Sequence, residues 1–194
     1  MEQQPINTVP VFEHLDKIYQ GDAKDIKRHE ARFLNLRDRF KKLYDCVPKY
    51  YARAPGRVNI IGEHIDYCGY SVLPAALEQD FIMAYVVVEE GDDADKIVIN
   101  NIDKDTYEPI EITTDPFQKF KDTAANVNYF LCGYKAILAH NEELRNKVQG
   151  KPKGLKILID SYVPPAAGLS SSSAFTVCTA IVTMHANGLT KEVS

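Results

Sequence analysis

The chain has 194 residues, of which 45% are apolar, 26% charged and 10% aromatic, which excludes a disordered chain. The apolar residues form no run long enough for a membrane span, and a net charge of −4 argues against a nucleic-acid-binding surface. The first residues lack the basic and apolar segments of a secretory signal, so we expect a cytoplasmic protein.

Helical patterns come first along the chain. Residues 11–19 and 23–44 have apolar side chains at helical spacing. In the longer segment Leu36 and Phe40 share the apolar face, and we expect the cations between the apolar positions, Arg32 among them, to form a basic outer face. Such a face is usually solvated, although it could bind phosphate backbones or anionic lipid. We expect the histidines on the helices, His29 among them, to be surface or cap residues.

Strand patterns follow. Residues 49–54 and 58–61 predict two short strands around Pro55-Gly56, and residues 81–89 predict a strong β-branched strand. Residues 96–100 and 108–113 alternate in polarity and predict two further strands. A loop signal separates the last two from the preceding strand, so we expect this part of the chain to be antiparallel.

The second half of the chain has fewer elements. Residues 126–148 return to helical spacing, residues 155–159 predict another strand, and residues 168–186 predict a helix rich in small and apolar residues. This segregated order favours an α+β fold over a doubly wound sheet. We therefore expect a mixed or antiparallel sheet with helices packed on one side.

The four cysteines lie far apart in the sequence and form no C-x-x-C pair, which excludes paired zinc knuckles. An even number also permits two disulfides. Because a chain of this length can form its own hydrophobic core and no export signal is found, we expect reduced thiols.

A first motif, rich in polar residues, spans residues 54–70 and follows a predicted strand. Pro and Gly residues around the cluster favour a backbone that holds its side chains in fixed directions. Carboxylates accept hydroxyl hydrogen bonds, so Glu63, His64 and Asp66 are predicted to bind a sugar or another polyol. Arg57 provides a fixed positive charge that could stabilise a developing anion or lower the pKa of a nearby hydroxyl nucleophile.

Two alternatives stay open for this cluster. His64 and its neighbouring carboxylates could bind a metal ion, although they lack the i, i+4 spacing of helical zinc sites. The cluster could also be a salt-bridged turn with only a structural role. A purely structural turn with so many polar side chains would be costly.

A second motif consists of four consecutive serines, residues 170–173, at the start of the last predicted helix. Unpaired backbone N–H groups and the positive end of the helix dipole favour an anion there. The lysine of the P-loop pattern is missing, so this is a different phosphate-binding loop. A Ser-rich cap or linker is the alternative. Together the two motifs predict nucleotide-driven phosphorylation of a polyhydroxylated small molecule.

The residues carry a family resemblance. The segment GRVNIIGEHIDYCGYSVLP (residues 56–74) resembles the galactokinase signature, and PPAAGLSSSSA (residues 164–174) resembles the ATP-phosphate loop of the GHMP kinase superfamily. Within the galactokinase family, Cys68-Gly69-Tyr70 and the segment NYFLCG (residues 128–133) look most like the branch that phosphorylates N-acetylgalactosamine.

The resemblance implies the N-terminal half of a GHMP-type kinase. Residues 1–48 would be a helical segment and residues 49–194 the galactokinase-like N-terminal domain, with the sugar signature in 49–80 and the ATP-binding part in 126–194. Glu63, His64 and Asp66 would bind sugar hydroxyls, and Arg57 would lie beside the anomeric oxygen as the catalytic residue of this stretch. The residues implied to bind the ATP phosphates are Gly168, Ser170, Ser171 and Ser172, with Ser172 also binding Mg²⁺.

One family element has no counterpart in the 194 residues. Galactokinases carry a catalytic Asp in a GGMDQ-like segment beyond the serine loop, followed by a third Gly-rich motif. We therefore expect a truncated sugar-1-kinase without its C-terminal domain, acting on galactose or N-acetylgalactosamine with ATP and Mg²⁺. We expect the full-length protein to be a monomer. The alternative is a catalytically silent sugar- and ATP-binding sensor module or an inactive fragment.

Overall fold

The structure is a computed structural model that describes residues 9–62, 64–122, 125–148 and 151–189. Two short 3₁₀ turns lie at Leu15–Lys17 and Asp66–Cys68. The strands are β1 (Tyr50–Ile61), β2 (Leu73–Val88), β3 (Lys96–Asn101), β4 (Ile110–Thr113) and β5 (Gly154–Ser161). The helices are α1 (Ala23–Tyr44), α2 (Ala125–Leu138), α3 (Glu142–Lys147) and α4 (Ser171–Ala186).

The described strands form one mixed sheet in the order β1-β2-β5-β3-β4. Three of its four pairings are antiparallel, and β3 pairs with β5 in parallel. The α+β class and the mixed sheet are confirmed. The parallel pair arises because the chain crosses over through α2 and α3 between β4 and β5, and parallel neighbours require such a connection.

The first two strands form a long antiparallel ribbon. The sequence predicts two short strands where the structure has the continuous β1, and β2 begins at Leu73 rather than at Phe81. The pairing shifts register between Pro55 and Arg57, which accommodates a proline without breaking the strand. Proline is also tolerated because β1 lies at an edge of the sheet.

Helices cover both faces of the sheet. Side chains alternate along β2, so Met83 joins the core formed with α2, α3 and α4, whereas Ile82 faces α1. Leu36 and Phe40 of α1 are fully buried in this second cluster. The expectation that helices pack on one side therefore describes α2 to α4, and α1 covers the opposite face.

The inner face of α1 contains two polar residues. His29 and Arg32 are only 4% and 5% exposed, and with Leu36 and Phe40 they form one continuous helical stripe. The predictions of a solvated Arg32 and a surface His29 are wrong. Both side chains have acidic partners on the sheet, which residue spacing within the helix does not reveal.

The predicted helix over residues 126–148 is interrupted. Asn141 begins α3 as its N-cap, and its Oδ1 accepts a hydrogen bond from the Leu144 backbone N–H at 2.9 Å. The four cysteines are free thiols, as expected. In the described ranges, none of the helices is both long enough and apolar enough to cross a membrane.

Candidate active site

An open cleft of about 820 Å³ lies at the ends of β3 and β5, next to the start of α4. Arg57 and His64 of the first motif line the cleft, and so do residues 164–173, which include the serine run. The two motifs are separated by roughly a hundred residues in the sequence, and the structure brings them to one cavity.

A backbone contact joins the two motifs directly. The Arg57 N–H donates a hydrogen bond to the Leu169 carbonyl oxygen at 3.1 Å. The preceding residue, Gly56, is buried, and a Cβ there would lie 3.1 Å from the same oxygen and 3.2 Å from both Cγ atoms of Val163. Glycine therefore allows β1 to approach the loop before α4 (residues 164–170, the serine loop) closely enough to place Arg57 in the cleft.

The start of α4 suits an anion. Ser170 is the N-cap residue, and its side chain accepts no capping hydrogen bond within the described residues. The first turn, from Ser171 onward, contains no acidic residue and lines the cleft. The first backbone N–H groups of a helix have no partner within the helix, and the dipole makes this end positive. Phosphate is the kind of ligand that such a helix end binds.

Strained backbone conformations concentrate at this cleft. Among the described residues other than glycine, four have positive φ angles, and three of them line the cleft: His64 (56°), Ala166 (57°) and Ser170 (60°). Each such conformation costs on the order of 1–3 kcal/mol and is found most often at functional sites.

The turn that follows β1 carries His64. Within this turn the Asn59 Nδ2 donates a hydrogen bond to the Gly62 carbonyl oxygen at 2.9 Å. Gly62 has a φ of 98°, and a Cβ there would lie 2.8 Å from Cγ1 of Val72 on the returning chain. Glycine is the residue suited to this close, left-handed position at the start of the turn.

The other predicted sugar ligands differ in position. Asp66 lies in the exposed 3₁₀ turn and is not among the described residues that line the cleft. Glu63 lies outside the described residues. The predicted phosphate ligands, Gly168, Ser170, Ser171 and Ser172, all line the cleft.

Sequence patterns missed the wall formed by the carboxyl ends of β3 and β5. Asn100, Asp160 and Tyr162 line the cleft there, together with Tyr107 of the loop after β3. The carboxyl ends of adjacent parallel strands form a natural crevice for a ligand. Recognition of the β3–β5 parallel pair would have identified these residues, but no local pattern shows which strands pair in parallel.

A half-buried tyrosine of α1 supports this wall from behind. The Tyr44 hydroxyl donates to the Ile157 carbonyl oxygen at 2.8 Å and accepts from Asn100 Nδ2 at 3.0 Å. Burial raises the pKa of Tyr44 to about 12, so the phenol stays neutral at ordinary pH.

The described residues contain no group of three or more His, Cys, Asp or Glu side chains that could hold a metal ion. The polar groups of the described residues that line the cleft are hydroxyls, amides, the Arg57 and His64 side chains, and the carboxylates of Asp103, Glu108 and Asp160. This combination can bind phosphate and hydroxyl groups.

The fold and the serine loop define the class as GHMP kinases. The family described as GHMP kinases N terminal domain matches residues 128–193, and the galactokinase galactose-binding signature matches residues 38–86. The chain belongs to the galactokinase family of this superfamily.

Known galactokinases are similar to this chain along almost its whole length. The galactokinase of Schizosaccharomyces pombe is 39% identical over 191 residues, covering 94% of this chain and 35% of the relative. The galactokinase of Dictyostelium discoideum is 36% identical over 183 residues, covering 92% and 34%. The chain thus spans about a third of the length of these relatives.

Solved structures share the fold. The crystal structure of Lactococcus lactis galactokinase complexed with galactose has a TM-score of 0.61 and 25% identity, covering 78% of this chain and 36% of that chain. The mevalonate kinase of Methanococcus jannaschii has a TM-score of 0.55 and 22% identity, covering 70% and 39%.

Proposed function

We propose that the protein carrying this stretch is an ATP-dependent sugar-1-kinase that phosphorylates galactose at its C1 hydroxyl. The observation that carries the proposal is the joint between the motifs, where the Arg57 N–H binds the Leu169 carbonyl oxygen beside the serine-headed helix. The similarity to curated galactokinases supports the choice of sugar.

The serine side of the cleft binds the nucleotide in this proposal. Backbone N–H groups at the start of α4 and the loop around Gly168 hold the ATP phosphates, with the hydroxyls of Ser170 and Ser171 as further donors. Ser172 would provide its hydroxyl as a ligand for the Mg²⁺ that accompanies the nucleotide. The ion would neutralise charge on the phosphates during transfer.

The sugar side of the cleft binds the acceptor. Glu63, His64 and Asp66 hold the sugar hydroxyls, and Arg57 stabilises the negative charge of the transferring phosphoryl group next to the C1 hydroxyl. Phosphoryl transfer depends mainly on position and on charge stabilisation, and a fixed guanidinium near the serine helix provides both. We assign no residue of this stretch as the base that removes the C1 proton.

N-acetylgalactosamine is the second candidate acceptor. It is favoured by Cys68-Gly69-Tyr70, which stands where galactokinases usually have Asn after the EH-x-DY element of the signature. We propose galactose as the first candidate because the curated relatives are named galactokinases.

The test is an assay of the whole protein with ATP and Mg²⁺, in which galactose and N-acetylgalactosamine are compared as acceptors. We expect ³¹P NMR to detect a sugar 1-phosphate, with a higher kcat/KM for galactose. Binding of both ligands in calorimetry without any product would favour the sensor alternative. Absence of ATP binding would contradict the proposal.

A further inference from the structure

A single arginine of α1 holds the end of β5. The Arg32 Nε donates to Asp160 Oδ2 at 2.8 Å, and its Nη2 donates to the Asp160 carbonyl oxygen at 3.3 Å. Arg32 thus fixes both the side chain and the backbone of the same residue. Arg32 is 5% exposed and does not itself line the cleft, whereas Asp160 does.

Three further contacts fix the chain around the end of β5. The guanidinium carbon of Arg32 lies 3.8 Å from the ring centroid of Tyr162, which also lines the cleft. The Arg32 Nη1 donates to Asp80 Oδ1 at 2.5 Å, and the Tyr162 N–H donates to the Asp80 carbonyl oxygen at 3.0 Å. Five contacts therefore converge where the chain leaves β5.

The position of these contacts in the chain gives them their importance. The loop over residues 164–170 begins two residues after Tyr162 and carries two of the proposed phosphate ligands, Gly168 and Ser170. The far end of the loop continues into α4, whose core side chains are buried. A shift of Asp160 or Tyr162 would therefore be transmitted to the loop through its first residues.

Stability alone is a weak explanation for this cluster. Buried ion pairs often add little to stability, because removing the charges from water costs about as much as their attraction returns. Arg53 of β1 also pairs with Asp80 and is more exposed, yet no contact joins Arg53 to Asp160 or Tyr162 in the described residues. The two arginines thus share one partner and differ in their connection to the cleft.

We propose that Arg32 is a positioning residue for the nucleotide. It orients the serine loop through Asp160 and Tyr162, although it contacts neither substrate. This inference rests on the proposed function, since it assumes that the loop binds ATP.

The experiment compares Arg32→Lys with the matched control Arg53→Lys in the whole protein. Lysine retains the positive charge beside Asp80 but lacks the planar fork that reaches Asp160 and stacks on Tyr162. For Arg32→Lys we expect the Kd and the KM for ATP to rise at least about tenfold, while the KM for galactose changes less than about twofold. For Arg53→Lys we expect both KM values to stay within about twofold of the wild type.

A second variant, Asp160→Asn, tests the inference even if Arg32→Lys fails to fold. Asp160→Asn keeps the shape of the side chain and leaves the backbone carbonyl for Arg32, so it should fold and raise the KM for ATP by about threefold or more. Equal ATP affinities in Arg32→Lys and Arg53→Lys, or a parallel rise in both KM values, would overturn the inference. A wild-type protein that binds no ATP would overturn the proposed function itself, which distinguishes the two failures.

Discussion

The two sides of the cleft are built in different ways. The serine loop lies between β5 and α4, whose inner side chains are buried in the main core. The sugar-signature turn lies at the tip of the β1–β2 ribbon, where Ile60, Ile61 and Leu73 are 60%, 68% and 53% exposed. The core therefore preorganises the proposed nucleotide side, whereas local turn contacts shape the proposed sugar side. Substitutions at the tip should change sugar use more than folding.

The largest effect is expected for Arg57→Met on the sugar side. Loss of the guanidinium should lower kcat/KM of the whole protein by about 10²–10³-fold, the usual cost of removing one charge-stabilising donor. The free energy of unfolding should change by less than about 1 kcal/mol, since Arg57 is only half-buried. Steady-state kinetics and urea unfolding measure the two quantities. Activity within about threefold of the wild type would remove Arg57 from catalysis.

A matched pair of isoleucines tests the difference between the two ends of the β1–β2 ribbon: the root, which is its buried end, and the exposed tip. Ile82→Ala at the root removes a side chain that is 0% exposed and should cost about 2–5 kcal/mol. Ile61→Ala at the tip removes one that is 68% exposed and should cost less than about 0.5 kcal/mol. Urea unfolding of both variants is the measurement. Similar losses in the two variants would show that the tip contributes to the core.

Gly56→Ala tests the joint between the two sides. The added methyl group would lie 3.1 Å from the Leu169 carbonyl oxygen and should force β1 away from the loop, at a cost of about 1–3 kcal/mol. Because the joint serves both ligands, the KM values for ATP and for the sugar should rise together. A rise in only one of them would mean that the joint does not couple the two sides.

The smallest effect is expected for Tyr44, which supports the wall formed by the carboxyl ends of β3 and β5. The pKa of Tyr44 is about 12 in the folded chain against 10.0 for an ordinary tyrosine, because burial disfavours the phenolate. Its contribution to stability is complete below pH 10 and is lost as the pH rises towards 12. Urea unfolding at rising pH should show this loss, and Tyr44→Phe should make the slope shallower. An unchanged slope in Tyr44→Phe would contradict the assignment.

Local patterns were sufficient for much of the fold. The long periodic helix α1, most of the strands and the serine run depend on neighbouring residues, so the sequence predicts them. Burial of Arg32 depends on Asp80 and Asp160, which lie 48 and 128 residues away, so helical spacing alone could not reveal it.

The candidate site divides in the same way. The serine loop and the sugar signature are compact motifs with recognisable chemistry. Asp160 and Tyr162 enter the cleft only because β5 pairs in parallel with β3, and no local pattern encodes which strands become neighbours. The continuous β1 was missed for a related reason, since the register shift at Pro55 depends on its partner strand.

The most direct test of the shared cleft is a crystal structure of the whole protein with galactose and a non-hydrolysable ATP analogue. The account predicts the γ-phosphate at the start of α4 and the C1 hydroxyl of galactose between that phosphate and Arg57. Galactose bound elsewhere, with the nucleotide phosphates away from the serine run, would contradict it.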